Sequence, residues 1–362
     1  MKHPQIEIRD RLVAEGVLRC ADLDDLRIYN YTNHCKQWDE TTINSRGIIF
    51  NRQTGEVVAQ TFPKFFNMNE RTDTQERNLP WHDGFRIFKK EDGWFGSLYR
   101  HAGQHKVASR GSFTSPGAIW ASKFLDDNYD LDGFPDEVTL VFELICPITK
   151  IVVDYGDRED LVLLSAYNRH TGKEYRWCEV ASFASDYGFT LVKSYDQNWL
   201  GACRGSLKTI PGNEQEGFVI RFTNGFRVKI KSEDYFRRHH LLSNLTPLVM
   251  WNNMVDGEVT KDVWSQVDIE YHDLLNSIVE VLEKQYQTLH SEIHKEFDDI
   301  YFEEFGGIMD RVPRCDFAAK AQKVKHTPAM FALLDSHYHK VDSYVMKRIR
   351  PHNNKLERDN VE

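Results

Sequence analysis

The chain has 362 residues, 41% hydrophobic and 12% aromatic, which suffices for two domains with substantial cores. Its 46 Lys and Arg against 55 Asp and Glu give a formal net charge of −9, which excludes a wholesale basic coat for nucleic acid but not a local basic groove. No apolar run approaches the ~20 residues of a membrane span, and Met1-Lys2-His3-Pro4 lacks a signal-peptide core, so a soluble, intracellular protein without a membrane partner is expected.

In chain order, short β-rich runs with turn signals between them fall at 47–50, 56–60, 85–88, 94–99, 138–144, 161–166, 217–222 and 226–230, with helices expected over 116–126 and 177–187. From about residue 236 the pattern turns helical. Tyr271, Leu274, Leu275, Ile278, Leu282, Tyr286, Leu289, Ile293, Phe297 and Ile300 keep three- and four-residue spacing, the stripe of a bundle core. A further helical pattern covers 317–325, and Pro328 can open the next helix at its first turn. The expected division is a first domain over 1–238, a helical domain over 239–350 and a disordered tail over 351–362. Six scattered cysteines without a Cys-x-x-Cys pair are expected to be reduced.

Chemistry concentrates around four stretches. Lys90-Glu91-Asp92-Gly93 closes the run Phe85-Arg86-Ile87-Phe88 and has the spacing of a lysine nucleophile that attacks the α-phosphate of a nucleotide. Alone it also suits a polar hairpin turn, because Asp-Gly after a strand is a turn signal. A free lysine titrates near ~10.4, so a nucleophile needs burial and cationic neighbours to lower its pKa. Downstream, Phe142-Glu143-Leu144, Glu216-Gly217-Phe218-Val219-Ile220 and Val228-Lys229-Ile230-Lys231 place charges in strand-like runs where idle charge is costly. Lys229 and Lys231 share one strand face, a pairing that suits a triphosphate and whose field would help deprotonate Lys90.

The order and spacing of these stretches resemble the covalent nucleotidyltransferases, the superfamily of ATP-dependent DNA and RNA ligases and mRNA capping enzymes. Lys150-Ile151-Val152-Val153-Asp154-Tyr155 fits the same motif series. Arg46-Gly47-Ile48-Ile49-Phe50, Pro63-Lys64-Phe65-Phe66-Asn67-Met68-Asn69-Glu70 and Lys229-Ile230-Lys231-Ser232-Glu233-Asp234-Tyr235 narrow the resemblance to the phage T4-type RNA ligase 1 family over about residues 35–240. Two departures stand out: Trp94-Phe95-Gly96 reads as a local insertion, and Arg110 stands where the phage enzyme has lysine. Arg keeps the charge but cannot exchange a proton. Both bear on loop geometry and substrate preference.

The resemblance implies an α+β fold, an antiparallel-sheet nucleotidyltransferase domain followed by an all-helical C-terminal domain that serves tRNA recognition in the family. It implies three steps: Lys90 attacks ATP to form lysyl-AMP, AMP passes to a 5′-phosphate RNA end, and a 3′-hydroxyl displaces AMP. Lys90, Asp92, Lys229 and Lys231 would be catalytic, with Asp92 structural or metal-supporting. Lys229 would contact the α-phosphate; Lys231, Arg46 and Lys64 the outer phosphates. Phe65, Phe66 and Ile151 would wall the adenine pocket, although core packing explains the two phenylalanines as well. Glu91, Gly93 and Arg110 would complete the nucleotide site. Glu216 would hold hydrated Mg²⁺, with Mn²⁺ as a substitute, and Glu143 would accept from the ribose or hold a second metal's water.

The implied partners are RNA with 5′-phosphate and 3′-hydroxyl ends, a nicked tRNA among them, and a separate end-healing kinase-phosphatase, since no Gly-x-x-x-x-Gly-Lys-Ser/Thr appears. The expected location is the cytoplasm, or a phage-infected host cell, and the expected state a monomer. Basic stretches at Arg237-Arg238-His239-His240, Lys320 with Lys323 and Lys325, and Lys347-Arg348-Ile349-Arg350 read as solvated faces or RNA contacts. His337-Tyr338-His339 lacks the carboxylate pair a metal site would need. Two rivals are a GTP-using capping-type enzyme, which would carry a β-rich barrel after Lys231, and a non-catalytic RNA-end or tRNA-binding protein on a ligase scaffold.

Overall fold

The computed structural model describes residues 4–256, 272–306 and 313–352, and the chain divides into two compact units, 1–239 and 240–362. The first unit holds every strand among the described residues. β1 (Leu18–Leu23), β2 (Leu26–Tyr31), β3 (Arg46–Asn51) and β4 (Val57–Ala59) form a four-stranded antiparallel sheet in chain order. β5 (Phe66–Asn67), β6 (Phe85–Lys90), β12 (Ser194–Asp196), β13 (Gly217–Phe222) and β14 (Arg227–Lys231) form a second sheet, ordered β12-β6-β13-β14-β5. β7 (Trp94–His101), β8 (Gln104–Ser109), β9 (Val138–Ile145), β10 (Asp160–Asn168) and β11 (Thr190–Leu191) form the third, ordered β11-β10-β9-β7-β8. Only the short β5 and β11 pair in parallel.

β9 lies between β10 and β7, and every residue of it but Glu143 is buried. That explains its near-continuous apolar run. Its core partners are Leu98, Val107, Leu161 and Leu163, roofed by the helices Pro116–Asn128 and Trp177–Tyr187. Ser115 caps the first of these, accepting from the Ala118 N–H, with Pro116 just inside it. Gly188, at φ 76°, stops the second in the left-handed conformation that a glycine takes without strain.

Among the described residues no strand follows Lys231. The second unit is helical: Pro247–Val255, His272–Asp298, Arg314–Ala321, Thr327–Leu334 and Tyr338–Ile349 follow the helix Glu233–Asn244, which spans the boundary between the units. The long stripe buries Leu275, Ile278, Leu282, Ile293, Phe297 and Ile300 as the spacing predicts; Tyr271 lies outside the described residues. The helix widens into a π-helical stretch over Asp299–Glu304 rather than continuing regularly. Residues 353–362 of the expected tail also lie outside the described residues. No described helix is long and apolar enough to cross a membrane.

Candidate active site

Lys90 is the last residue of β6, which pairs with β12 and β13, whereas β7 pairs with β8 and β9. Residues 91–93 therefore cross from one sheet to another, which overturns the hairpin-turn alternative. Gly93 is needed for closeness rather than for a turn: a Cβ there would meet the Leu144 carbonyl oxygen at 2.3 Å and Ile145 Cδ1 at 2.8 Å. Its N–H donates to Glu143 Oε1 at 3.0 Å, joining the crossing to β9. Trp94-Phe95-Gly96, read as a local insertion, lie on a strand rather than in a loop. These residues open β7 in register with Leu144, Glu143 and Phe142.

Asp92 is 2% exposed and holds this crossing in place. Its Oδ2 accepts from the Val152 and Val153 N–H groups at 2.9 and 2.8 Å, and its Oδ1 from the Tyr235 hydroxyl at 2.7 Å. The Asp92 N–H donates to the Tyr155 hydroxyl, which donates in turn to Glu91 Oε2 at 2.8 Å, where Lys89 also binds. Asp92 does not line the cavity described next, so its contribution is positional. Glu91 lines that cavity with its carboxylate already engaged.

A cavity of about 650 Å³ opens over Lys90, within the usual range for a small-molecule site. Ten cations (Arg19, Arg46, Lys64, Lys89, Lys90, Arg110, Arg221, Arg227, Lys229, Lys231) line it against three carboxylates (Glu91, Glu143, Glu216), an excess opposite to the chain's net charge. The antiparallel register sets Gly217 opposite both Lys90 and Lys231. Glu216, one residue earlier and 2% exposed, is thereby gripped from two sides: Lys90 Nζ lies 2.5 Å from Oε2 and Lys231 Nζ 2.8 Å from Oε1. Phe65, Ile151, Phe88, Leu164, Val192 and Val219 supply apolar wall.

Charge states correct the expectation for Lys90. Burial pushes its pKa down, but Glu216 and Glu143 outweigh burial and hold it above the ordinary lysine value. Lys229 behaves in the opposite way: burial, followed by repulsion from Lys90 and Lys231, lowers it to about 7. Burial also pushes the Glu143 carboxyl up to about 7, while Lys90 and Lys231 overcome burial at Glu216 and keep it below its ordinary value. The depressed lysine is thus Lys229, not Lys90, because Lys90 alone of the two has a carboxylate in contact.

Two cations are held by aromatic rings. The Arg46 guanidinium lies 4.7 Å from the centre of the Phe62 ring and 4.5 Å from that of Phe95, and its buried Nη1 has no hydrogen-bond partner. Lys64 Nζ sits 4.9, 4.8 and 4.7 Å from the rings of Tyr31, Trp38 and Phe66. Phe66 is therefore a buried support behind Lys64 and not a cavity wall, unlike Phe65. Burial pushes the Tyr31 phenol up, but Arg46, Arg110 and Lys64 together bring it below its usual value. An unpaired buried guanidinium N–H and a surplus of cations fit a polyphosphate. Glu143 and Glu216 give a divalent cation two protein carboxylates, which suits Mg²⁺ keeping several of its waters.

Tyr31 and Phe62 carry no local signal; only the folded register brings them to the cavity. Trp38 supports Lys64 from outside the cavity lining, and Tyr155, from the stretch 150–155, serves Glu91 and Asp92. Tyr235 stood in the quoted Lys-x-Lys-Ser-Glu-Asp-Tyr stretch and turns out to serve Asp92. Arg227 and Arg221, also at the cavity, are both tied to Glu174.

A model of an RNA ligase family matches residues 44–235. A protein of Autographa californica nuclear polyhedrosis virus, assigned by inference as a bifunctional polynucleotide kinase/RNA ligase, is 26% identical over 262 residues, covering 65% of this chain and 36% of that one. This chain thus spans about a third of the viral relative. A protein of Thermovibrio ammonificans, assigned by inference as an RNA ligase, is 26% identical over 318 residues, 76% of this chain and 80% of its own. The solved structure of an archaeal ATP-dependent RNA ligase matches with a TM-score of 0.50 at 13% identity, over 79% of this chain and 83% of that one, a likeness of fold.

Proposed function

The chain belongs to the RNA ligase family, and from that premise we propose that it joins 3′-hydroxyl and 5′-phosphate RNA ends at the expense of ATP, through lysyl-AMP and RNA-adenylate intermediates. The observation that carries this reading is the cluster of Lys90, Glu216 and Lys231 at the floor of a cation-lined cavity. Lys90 Nζ is the nucleophile. Glu216 orients it at 2.5 Å, and Lys231 neutralises the other carboxylate oxygen. Lys229 faces the transferred phosphate, and Arg46 and Lys64, fixed by their aromatic supports, receive the phosphates that leave as pyrophosphate.

A divalent cation, Mg²⁺ or Mn²⁺, held by Glu216 and Glu143 would compete with Lys90 for the carboxylate and favour loss of its proton. Phe65 and Ile151 border the adenine, with Glu143 toward the ribose. Asp92 acts through the backbone of residues 150–155. The helical unit after Lys231 favours this reading over a capping-type enzyme, and the assembled lysine cluster favours it over a non-catalytic scaffold. RNA repair, a tRNA substrate and a separate healing kinase-phosphatase belong to the same proposal.

The test is joining of short single-stranded RNAs with ATP and Mg²⁺. Ligation of strands bearing 5′-phosphate and 3′-hydroxyl ends is expected, with none when the 5′ end carries a hydroxyl. Equal joining of both would refute the reading.

The lowered pKa of Lys229 gives a pH signature. Near pH 8 it is mostly neutral, and a phosphate beside it favours the charged form, so nucleotide binding should take up close to one proton there through Lys229 and almost none at pH 6. Titration calorimetry in buffers of different ionisation enthalpy reads this uptake. Because Glu143 titrates in the same range, the share assigned to Lys229 is the part that Lys229→Met removes; identical uptake in that variant would contradict the assignment.

A further inference from the structure

In the helical unit, His326 immediately precedes the helix Thr327–Leu334. Its side chain is 0% exposed, and Nε2 has no hydrogen-bond partner among the described residues. The nearest carboxylate oxygen, Glu292 Oε1, lies 3.6 Å from Nε2, beyond hydrogen-bond length. On the other side of the ring, Nδ1 lies 3.3 Å from the Tyr344 hydroxyl. Glu292 and Glu296 are four apart on the helix His272–Asp298 and so share a face. One donor atom from each of Glu292, Glu296 and His326 falls within 4.8 Å of the others.

A fully buried imidazole nitrogen aimed at carboxylates needs a proton or a cation between them. With Nδ1–H donating to Tyr344, Nε2 presents its lone pair to the carboxylates, the tautomer of a metal-bound histidine whose far nitrogen is fixed by an outer partner. We propose that Glu292, Glu296 and His326 bind a divalent transition metal of the zinc class, with water completing the shell. One imidazole and two carboxylates suit zinc, while a hard cation such as Mg²⁺ gains little from the imidazole.

Bonds of about 2.0–2.2 Å require the donors to draw closer than they stand. Glu292 is exposed and Glu296 half-buried, so both can move toward the fixed imidazole. Lys325, whose Nζ lies 3.1 Å from Glu292 Oε1, competes for the site and must give way. The His326 N–H donates to Glu296 Oε2 at 3.3 Å, a contact that already holds that carboxylate close. Bound metal would clip the connection before Thr327–Leu334 to the long helix.

The test uses the full-length protein, stripped with chelator and titrated calorimetrically with Zn²⁺ alone, beside Glu292→Gln/Glu296→Gln and the milder Glu292→Gln. Comparison with the variants separates this site from any other zinc bound elsewhere. Wild type is expected to take up one more equivalent of zinc than the double variant, and zinc should raise its melting temperature further. The single variant should bind that equivalent at least 10-fold more weakly. Equal stoichiometry and equal zinc-dependent melting in wild type and double variant, both folded without metal, would overturn the site.

Discussion

Lys90→Ala is expected to reduce formation of the covalent protein–AMP species by on the order of 10⁴-fold or more, while joining of a pre-adenylylated RNA strand survives. The reasoning is local. Among the described residues Lys90 is the only amine within contact of Glu216 besides Lys231, and Lys231 is engaged with the opposite oxygen of that carboxylate. Loss of Lys90 leaves Glu216 paired with Lys231, so the variant should still fold; its circular dichroism and melting are the control. Retention of label from α-labelled ATP by folded Lys90→Ala would place the nucleophile elsewhere. Loss of the pre-adenylylated joining step as well would mean that Lys90 also orders the later chemistry.

The second large effect is on stability. Asp92→Ala strips two backbone N–H groups and one phenol of their acceptor in a buried setting. The expected cost is about 3–5 kcal/mol, since buried donors left unpaired carry their full desolvation penalty. Tyr235→Phe removes one donor and leaves the two backbone bonds, so about 1 kcal/mol is expected. Urea midpoints of the two variants measure the difference. If Asp92→Ala unfolds at the wild-type midpoint yet loses adenylylation, Asp92 acts on the chemistry directly and not by holding residues 90–93 against 150–155.

Much of the α+β framework was legible because its elements carry local signals. The helix Trp177–Tyr187 has the bounds its pattern gives, and β13 ends where a turn signal stands. The stretch 4–31 yielded nothing beforehand: its strands β1 and β2 interleave Arg and Asp with the apolar residues, and the helix Pro4–Ala14 has little amphipathic contrast. Tyr338–Ile349 falls inside the helical domain expected over 239–350, and its own bounds are set by Val341, Val345 and Ile349 recurring at helical spacing.

At the site, the charged residues Lys90, Glu143, Glu216, Lys229 and Lys231 can be picked out because each stands within or at the end of an apolar-rich strand run. Their coupling cannot. Whether Lys90 is raised or lowered depends on which carboxylate touches it across 126 residues of sequence. The aromatic supports of Arg46 and Lys64 are long-range in the same sense: Tyr31 and Trp38 meet Lys64 only through folding, and Phe66 looks like a pocket wall until Trp38 and Lys64 are seen to cover it.

The central claim is covalent transfer of a nucleotide to this chain, and the most direct measurement is incubation with α-labelled ATP and Mg²⁺, in parallel with α-labelled GTP, followed by denaturing gel electrophoresis. The prediction is label retained from ATP, absent from GTP, and discharged on adding 5′-phosphorylated RNA. No label from either nucleotide, in folded protein shown to be free of pre-bound AMP, would contradict it.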